Sequence, residues 1–258
     1  RRRLWEVPRT TDSQLKTLRF APTVSGYFEL ADKTFDWDVG ALWNRNESIV
    51  SQRGDMSLIA SEQALGPSFI DAGGVARCGT AANPILGDCR PWNPLLPYGV
   101  AGQGSLADPE LQEFLFPTFT TRGVTKTTSF TANLAGSIVT LPAGDLGFAV
   151  GVEHRKEEGT YVPDAFAQSG KSTGLGQKTT QGEYDLNEVY LELNVPILAD
   201  MPFAKELTLN VASRYSDYSN FGGTTNSKFG LTWRPMDELL VRGTYAEGFR
   251  APTISDLY

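Results

Sequence analysis

The chain of 258 residues carries 23 Lys and Arg against 30 Asp and Glu, a formal net charge of -7, with one histidine and 40% hydrophobic residues. That balance argues against a nucleic-acid partner, which requires a basic face. No apolar run reaches the roughly 18 residues of a membrane-crossing helix. The mean hydropathy of -0.25 still permits a membrane barrel, because such a barrel alternates apolar and polar residues along each strand.

Arg1, Arg2 and Arg3 form the one basic cluster, and no apolar segment of a secretion signal follows them. The chain opens without Met and is expected to be a piece of a longer precursor. From Phe20 the even positions Val24, Gly26, Phe28 and Leu30 are apolar or small, and the odd ones include Thr23, Ser25, Tyr27 and Glu29. A turn at residues 31–34 leads to Phe35, Trp37, Val39, Ala41 and Trp43, which alternate with Asp36, Asp38, Gly40 and Asn44. A helix would scatter these aromatics round its circumference, whereas a strand sets them on one face.

An irregular stretch follows from Arg45 to Thr125, rich in Gly and Pro. Within it, Asp108-Pro109 reads as the N-cap and first position of a short helix to Leu115. Alternation returns at Phe130, Ala132, Leu134, Gly136 and Ile138, then, after a turn at residues 142–145, at Leu146, Phe148, Val150 and Val152. A polar, Gly-bearing loop is expected over residues 157–186. Further strands run through Val189 to Ile197, Leu207 to Val211, Phe229 to Trp233 and Leu239 to Tyr245, about eight in all. Connections near residues 31, 143, 200 and 236 are short, and those after 44 and 156 are long, the pattern of barrels with tight periplasmic turns and large extracellular loops. Trp37, Trp43, Trp233 and Tyr245 lie on the apolar registers near strand ends, as a headgroup-level girdle or as ordinary sandwich-core aromatics.

Cys78 and Cys89 lie within the irregular stretch. In an oxidising compartment they would pair, and so short a loop gains roughly 3 kcal/mol in the chain-entropy model. Two free structural thiols are the alternative. No metal site is expected, since His154 is remote and no third cysteine exists. His154 beside Glu153 has the residue types of a general base, but no nucleophile accompanies it, and its phase continues an apolar face. The glycines at 170–176 and 222–223 lack phosphate-loop spacing. Arg242 and Arg250 have the chemistry to meet an anionic ligand, and Arg214 and Arg242 that to join inward-facing ion networks with Glu192 and other lumen residues. Trp92, Tyr98, Phe114 and Phe116 are candidates to stack on a ligand, or else form a small loop core around the cysteines. No catalytic residue and no cofactor are expected.

The end of the chain, Leu239 to Tyr258 with Phe249-Arg250-Ala251-Pro252, resembles TonB-dependent receptors of the Gram-negative outer membrane. Val211 to Gly223 and Phe229-Gly230-Leu231-Thr232-Trp233-Arg234-Pro235 are similar to the same family, as are Leu141 to Arg155, with its turn and G-x-E-x-R strand, and Glu188 to Leu198. The two-cysteine loop ending in Asn93-Pro94 resembles that of the subgroup with large extracellular loops. Good resemblance covers about Lys126 to Tyr258, and residues 1–258 as a whole are expected to be part of one receptor barrel.

The resemblance implies an antiparallel transmembrane β-barrel of 22 strands filled by a plug. The plug, the TonB box and the remaining strands are not in this sequence. It further implies an outer-membrane receptor and no enzyme. Its partners would be TonB with the energising inner-membrane proteins, membrane lipid and a small nutrient ligand: an oligosaccharide, a ferric siderophore or a cobalamin. A passive porin-like channel is the alternative, and a soluble β-sandwich binding module a more distant one.

Overall fold

The structure is a computed structural model that describes residues 6–97 and 99–257. Arg1, Arg2, Arg3, Tyr98 and Tyr258 lie outside them. The elements in chain order are β1 (Thr10–Phe20), β2 (Thr23–Leu30), β3 (Lys33–Arg53), α1 (Leu58–Leu65), β4 (Ser68–Ile70), β5 (Ala76–Cys78), α2 (Pro109–Leu115) and β6 (Phe119–Leu141). They continue with β7 (Gly144–Pro163), α3 (Ala165–Gln168), β8 (Thr180–Met201), β9 (Ala204–Tyr218), β10 (Gly222–Met236), β11 (Leu239–Ala246) and α4 (Ile254–Leu257). No helix among the described residues is long and apolar enough to cross a membrane.

The main sheet has nine strands in the order β1-β3-β6-β7-β8-β9-β10-β11, with β2 also paired to β3. It is open, as a section of a barrel wall is. The expectation was about eight strands. The difference arises at Ala21-Pro22, where proline has no N–H to give the ladder; β1 and β2 both pair with β3, and together they make one interrupted strand. The Pro22 carbonyl still accepts from the Ala41 N–H at 3.0 Å. The chain divides into two compact units, residues 1–16, 46–124 and 160–180, and residues 17–45, 125–159 and 181–258.

The second unit holds the regular part of the sheet, and its registers sort the side chains cleanly. β8 and β9 pair Glu188 with Ser216, Tyr190 with Arg214, Glu192 with Ala212 and Asn194 with Asn210 on one face. Val189 pairs with Tyr215, Leu191 with Ser213 and Leu193 with Val211 on the other. The same division runs on through β10 and β11, where Thr232 meets Arg242 on the polar face and Phe229 meets Tyr245 on the apolar one. At the other side, Phe28 pairs with Phe35 and Val24 with Val39. The apolar face is exposed: Phe130 and Ile138 are each 57% accessible. Four two-residue turns join strands at one end of this unit. In the first, Ala31 and Asp32 both take positive φ, 51° and 61°, the type I′ geometry that matches strand twist. There Lys33 meets Asp145 at 2.6 Å and Thr140 at 2.5 Å, tying β3, β6 and β7 together.

Glycines let aromatic rings lie flat on neighbouring strands. A Cβ on Gly26 would sit 2.9 Å from the Trp37 ring, and one on Gly136 would sit 2.8 Å from Phe35. Each ring covers backbone that a glycine leaves bare, the arrangement that rescues glycine in a strand.

The first unit has its own core: Val7, Ala60, Ala64, Leu106, Leu111, Leu115 and Phe116. Helix α2 forms as the sequence anticipates, with the Asp108 carboxylate accepting from the Glu110 N–H at 2.9 Å and Pro109 in the first turn. Helix α1, which the apolar pattern did not announce, is capped by Ser57 Oγ accepting from the Ala60 N–H at 3.2 Å. Strands β4 and β5 form a small hairpin, and Cys78 at its end is bonded to Cys89. The disulfide therefore replaces the alternative of two free thiols.

Because the bridge spans an 11-residue separation, its loss is expected to destabilise this hairpin and loop by about 3 kcal/mol. Hydrogen exchange of the full receptor carrying Cys78→Ser and Cys89→Ser should show faster exchange over residues 68–92 and no change along β8–β9.

Candidate ligand-recognition surfaces

In the first unit the Asp71 carboxylate organises the β4–β5 turn. Its Oδ1 accepts from the N–H groups of Gly73 and Val75, each at 2.9 Å, and its Oδ2 from Arg77 Nε at 2.9 Å. The Val75 N–H first, and then Arg77, hold this carboxyl below its ordinary value of 3.8. Beside the disulfide, Arg90 donates to Glu110 Oε2 through Nε at 2.9 Å and Nη2 at 2.6 Å. A cavity of about 270 Å³ opens among Arg77, Arg90, Gln103, Asp108 and Glu110, and another of about 500 Å³ among Asp88, Arg90, Glu113 and Phe114.

The four aromatic candidates separate. Phe116 is 1% exposed and belongs to the loop core, so contact with a ligand would require that core to open. Trp92 and Phe114 are half-buried, packed against the core with part of each ring accessible. The Trp92 backbone N–H donates to the Ala64 carbonyl at 2.9 Å, which ties this part of the loop to α1. Tyr98 lies outside the described residues. The structure thus brings Trp92, Phe114 and Phe116 to one core rather than to one open surface.

In the second unit the polar face carries a continuous lattice. Asn133 donates to Asp38 at 2.8 Å, and the Tyr190 hydroxyl donates to Asn133 Oδ1 at 2.9 Å. Arg214 lies 5.6 Å from the centre of the Tyr190 ring. Glu188, with its side chain 8% exposed, lies 3.7 Å from Arg155 and 3.6 Å from Arg214 and accepts from Ser216. Arg155 also donates to Glu153 at 2.7 Å, and Glu153 accepts from Ser129 at 2.9 Å. Arg214 therefore joins an inward-facing ion network, as expected; the lumen residue it meets is Glu188, and Glu192 is not among its ion-pair partners. Glu188 and Glu192 stand one row to either side of Arg214 on the same face; Glu192 is taken up by Asn210, from which it accepts at 2.7 Å, and Glu188 is left to the guanidinium groups. Among the described residues no ion pair involves Arg242.

His154 is exposed on the apolar register, its Nδ1 2.8 Å from Asn187 Oδ1. It meets no nucleophile there. Arg250 lies 3.8 Å from Asp256, and Phe249 joins the rings of Tyr218 and Phe221. Sequence reasoning missed this last grouping. Its members are far apart along the chain, and the signal available was the position of Tyr184 and Tyr218 on the polar register.

A sheet with an exposed apolar face, a charged opposite face and tight turns at one end defines part of the wall of an outer-membrane β-barrel. The family model for the TonB dependent receptor-like β-barrel matches residues 92–258, nearly two thirds of the chain. The chain belongs to that family. Its members are outer-membrane transporters coupled to TonB, and not enzymes. No curated protein and no solved structure matches the chain.

Glu188→Gln removes the negative charge shared by two guanidinium groups and leaves an amide in its place. Because both arginines are substantially solvated, the expected loss is about 1–3 kcal/mol, read as a lower temperature for the heat-modifiable gel shift of the full receptor. The lowered value at Asp71 has a definite sign. Its contribution to the turn is complete above the unfolded value near 3.8 and is lost as pH falls through the lower folded value. A carboxyl NMR titration should place Asp71 below 3.8, and Arg77→Ala should raise it.

Proposed function

We propose that this chain forms part of a receptor for energised uptake of a scarce nutrient, in the class of oligosaccharide, ferric siderophore or cobalamin. The observation that carries the reading is the two-faced sheet on residues matched by the family model. Its apolar register suits lipid, and its opposite register offers a hydrogen-bonding wall from Asp38 to Ser216. Charged residues at that density are stable only where water, a plug or a polar solute meets them.

The disulfide-braced loop supplies the first contact. The exposed part of Trp92 and Phe114 offers apolar area, and Arg90, which lines the same cavity as Phe114, offers a guanidinium beside it. Phe116 supports the loop from within, and Tyr98 completes the set proposed for ligand contact. The polar wall of the second unit, taken by itself, offers a solute exchangeable hydrogen-bond partners. Because the periplasm holds no ATP, the energy for opening that path reaches the receptor through TonB and its inner-membrane partners, driven by the proton gradient.

Cells carrying the full receptor are expected to lose accumulation of the nutrient when a protonophore collapses the gradient, while surface binding at low temperature persists. Uptake that continues undiminished would instead identify a passive channel.

A further inference from the structure

Across the β2–β3 hairpin Ser25 pairs with Asp38 and Tyr27 with Asp36. The bond from Asn133 to Asp38 places both aspartates on the inward register, with Asn133 and Tyr190. These residues border a cavity of about 540 Å³ that lies wholly within the second unit. The hollow exists because the inward positions of β6 and β7 at this level, Ala135 and Ala149, carry only a methyl group. Tyr27 of β2 and Tyr190 of β8 reach it from strands on either side.

Elsewhere on this face the carboxylates are matched. Glu188 is shared by Arg155 and Arg214, Glu153 is held by Arg155, and Glu192 accepts from Asn210. Around the cavity they are not. Asp38 accepts from Asn133 through Oδ2 at 2.8 Å, and no described residue bonds the Asp36 carboxylate. None of the described residues lining the cavity is Lys, Arg or His. Lys33, on the same strand, is committed to Asp145 and Thr140. Successive inward positions of a strand are about 7 Å apart, so two uncompensated charges stand side by side along one wall. The Tyr190 ring already attracts one cation, since Arg214 lies 5.6 Å from its centre.

We propose that this cavity binds a small organic cation, a guanidinium or an alkylammonium, with Asp36 and Asp38 as counter-charges and the rings of Tyr27 and Tyr190 as side walls. The proposal is independent of the uptake reading above and holds equally for a passive channel. Charge and shape choose the class. An anion would meet two carboxylates. A neutral solute forms hydrogen bonds about half as strong as those of a cation to a carboxylate. A bare metal ion would find too few ligands, since no group of three His, Cys, Asp or Glu able to hold one occurs among the described residues. A guanidinium is planar, carries its donors in a fork and stacks on aromatic faces, so it answers the carboxylates and the rings together.

The test titrates the purified full receptor with agmatine, which carries a guanidinium and an ammonium, and with a neutral pentanediol as control. Agmatine should bind, the diol should not, and added salt should weaken the binding. Asp36→Asn and Asp38→Asn keep the side-chain volume and remove one charge each; each should weaken agmatine roughly tenfold. Glu29→Gln, on the same register of β2 but outside the cavity lining, should leave it unchanged. In the unmutated receptor, carbodiimide coupling at Asp36 and Asp38, read by peptide mass spectrometry, should proceed without agmatine and slow in its presence, whatever the folding of the variants. Absence of agmatine binding, binding indifferent to both Asn substitutions, or coupling that agmatine leaves unchanged would overturn the site. Carboxylates that resist coupling before any probe is added would overturn it too, because another segment of the receptor would already hold them. Agmatine binding in a receptor whose nutrient uptake ignores a protonophore would leave the site standing and remove the energised-import reading.

Discussion

Everything in this molecule follows from the backbone hydrogen bond in a solvent that offers none. In hydrocarbon an unpaired N–H or carbonyl costs several kcal/mol, so a strand can cross only beside another strand. The chain meets that demand with consecutive antiparallel pairings from β6 to β11. Once pairing is imposed, the period of two is imposed as well, and each strand must show one kind of side chain to lipid and another inward. Val189, Leu191 and Leu193 against Glu188, Tyr190 and Glu192 are that constraint written out residue by residue.

The inward register carries the chemistry because it is the face released from the apolar requirement. The lattice from Asp38 through Asn133 and Tyr190 to Arg214 and Glu188 links β3, β6, β7, β8 and β9 through side chains. Its arginines and carboxylates satisfy one another, which stabilises charge in a partly dry place. The same saturation leaves these charges partnered within the wall itself.

The crossing part of each strand was legible in the sequence, because there the two faces have opposite solvents. Phe35 to Trp43 and Val189 to Ile197 show it plainly. Where a strand continues with polar surroundings on both sides, the alternation fades and the strand reads as loop. Asn46 to Arg53 belong to β3, Phe119 to Thr125 to β6, and Thr180 to Asn187 to β8, yet no periodicity marks them. β1 was missed for the same reason, its sequence TTDSQLKTLRF being polar on nearly every position and exposed throughout. The short helix at Pro109 was legible from its cap, and the cysteine pair from spacing and setting. Side-chain partners were not: nothing in the order of residues says that Arg214 pairs with Glu188 while Glu192 takes Asn210, or that Phe249 meets Tyr218.

The lengths of the strands carry one more consequence. About 9–11 residues suffice to cross the hydrocarbon, whereas β3, β6, β7 and β8 have 21, 23, 20 and 22 residues. Half of each strand is therefore regular ladder in water, where loose coil would have cost nothing in hydrogen bonding. That surplus order holds the side chains of both registers at fixed spacing beyond the membrane edge. For the receptor proposed above, little conformational freedom of these strands is left to surrender when a solute is met, so discrimination rests on a rigid mould and not on closure.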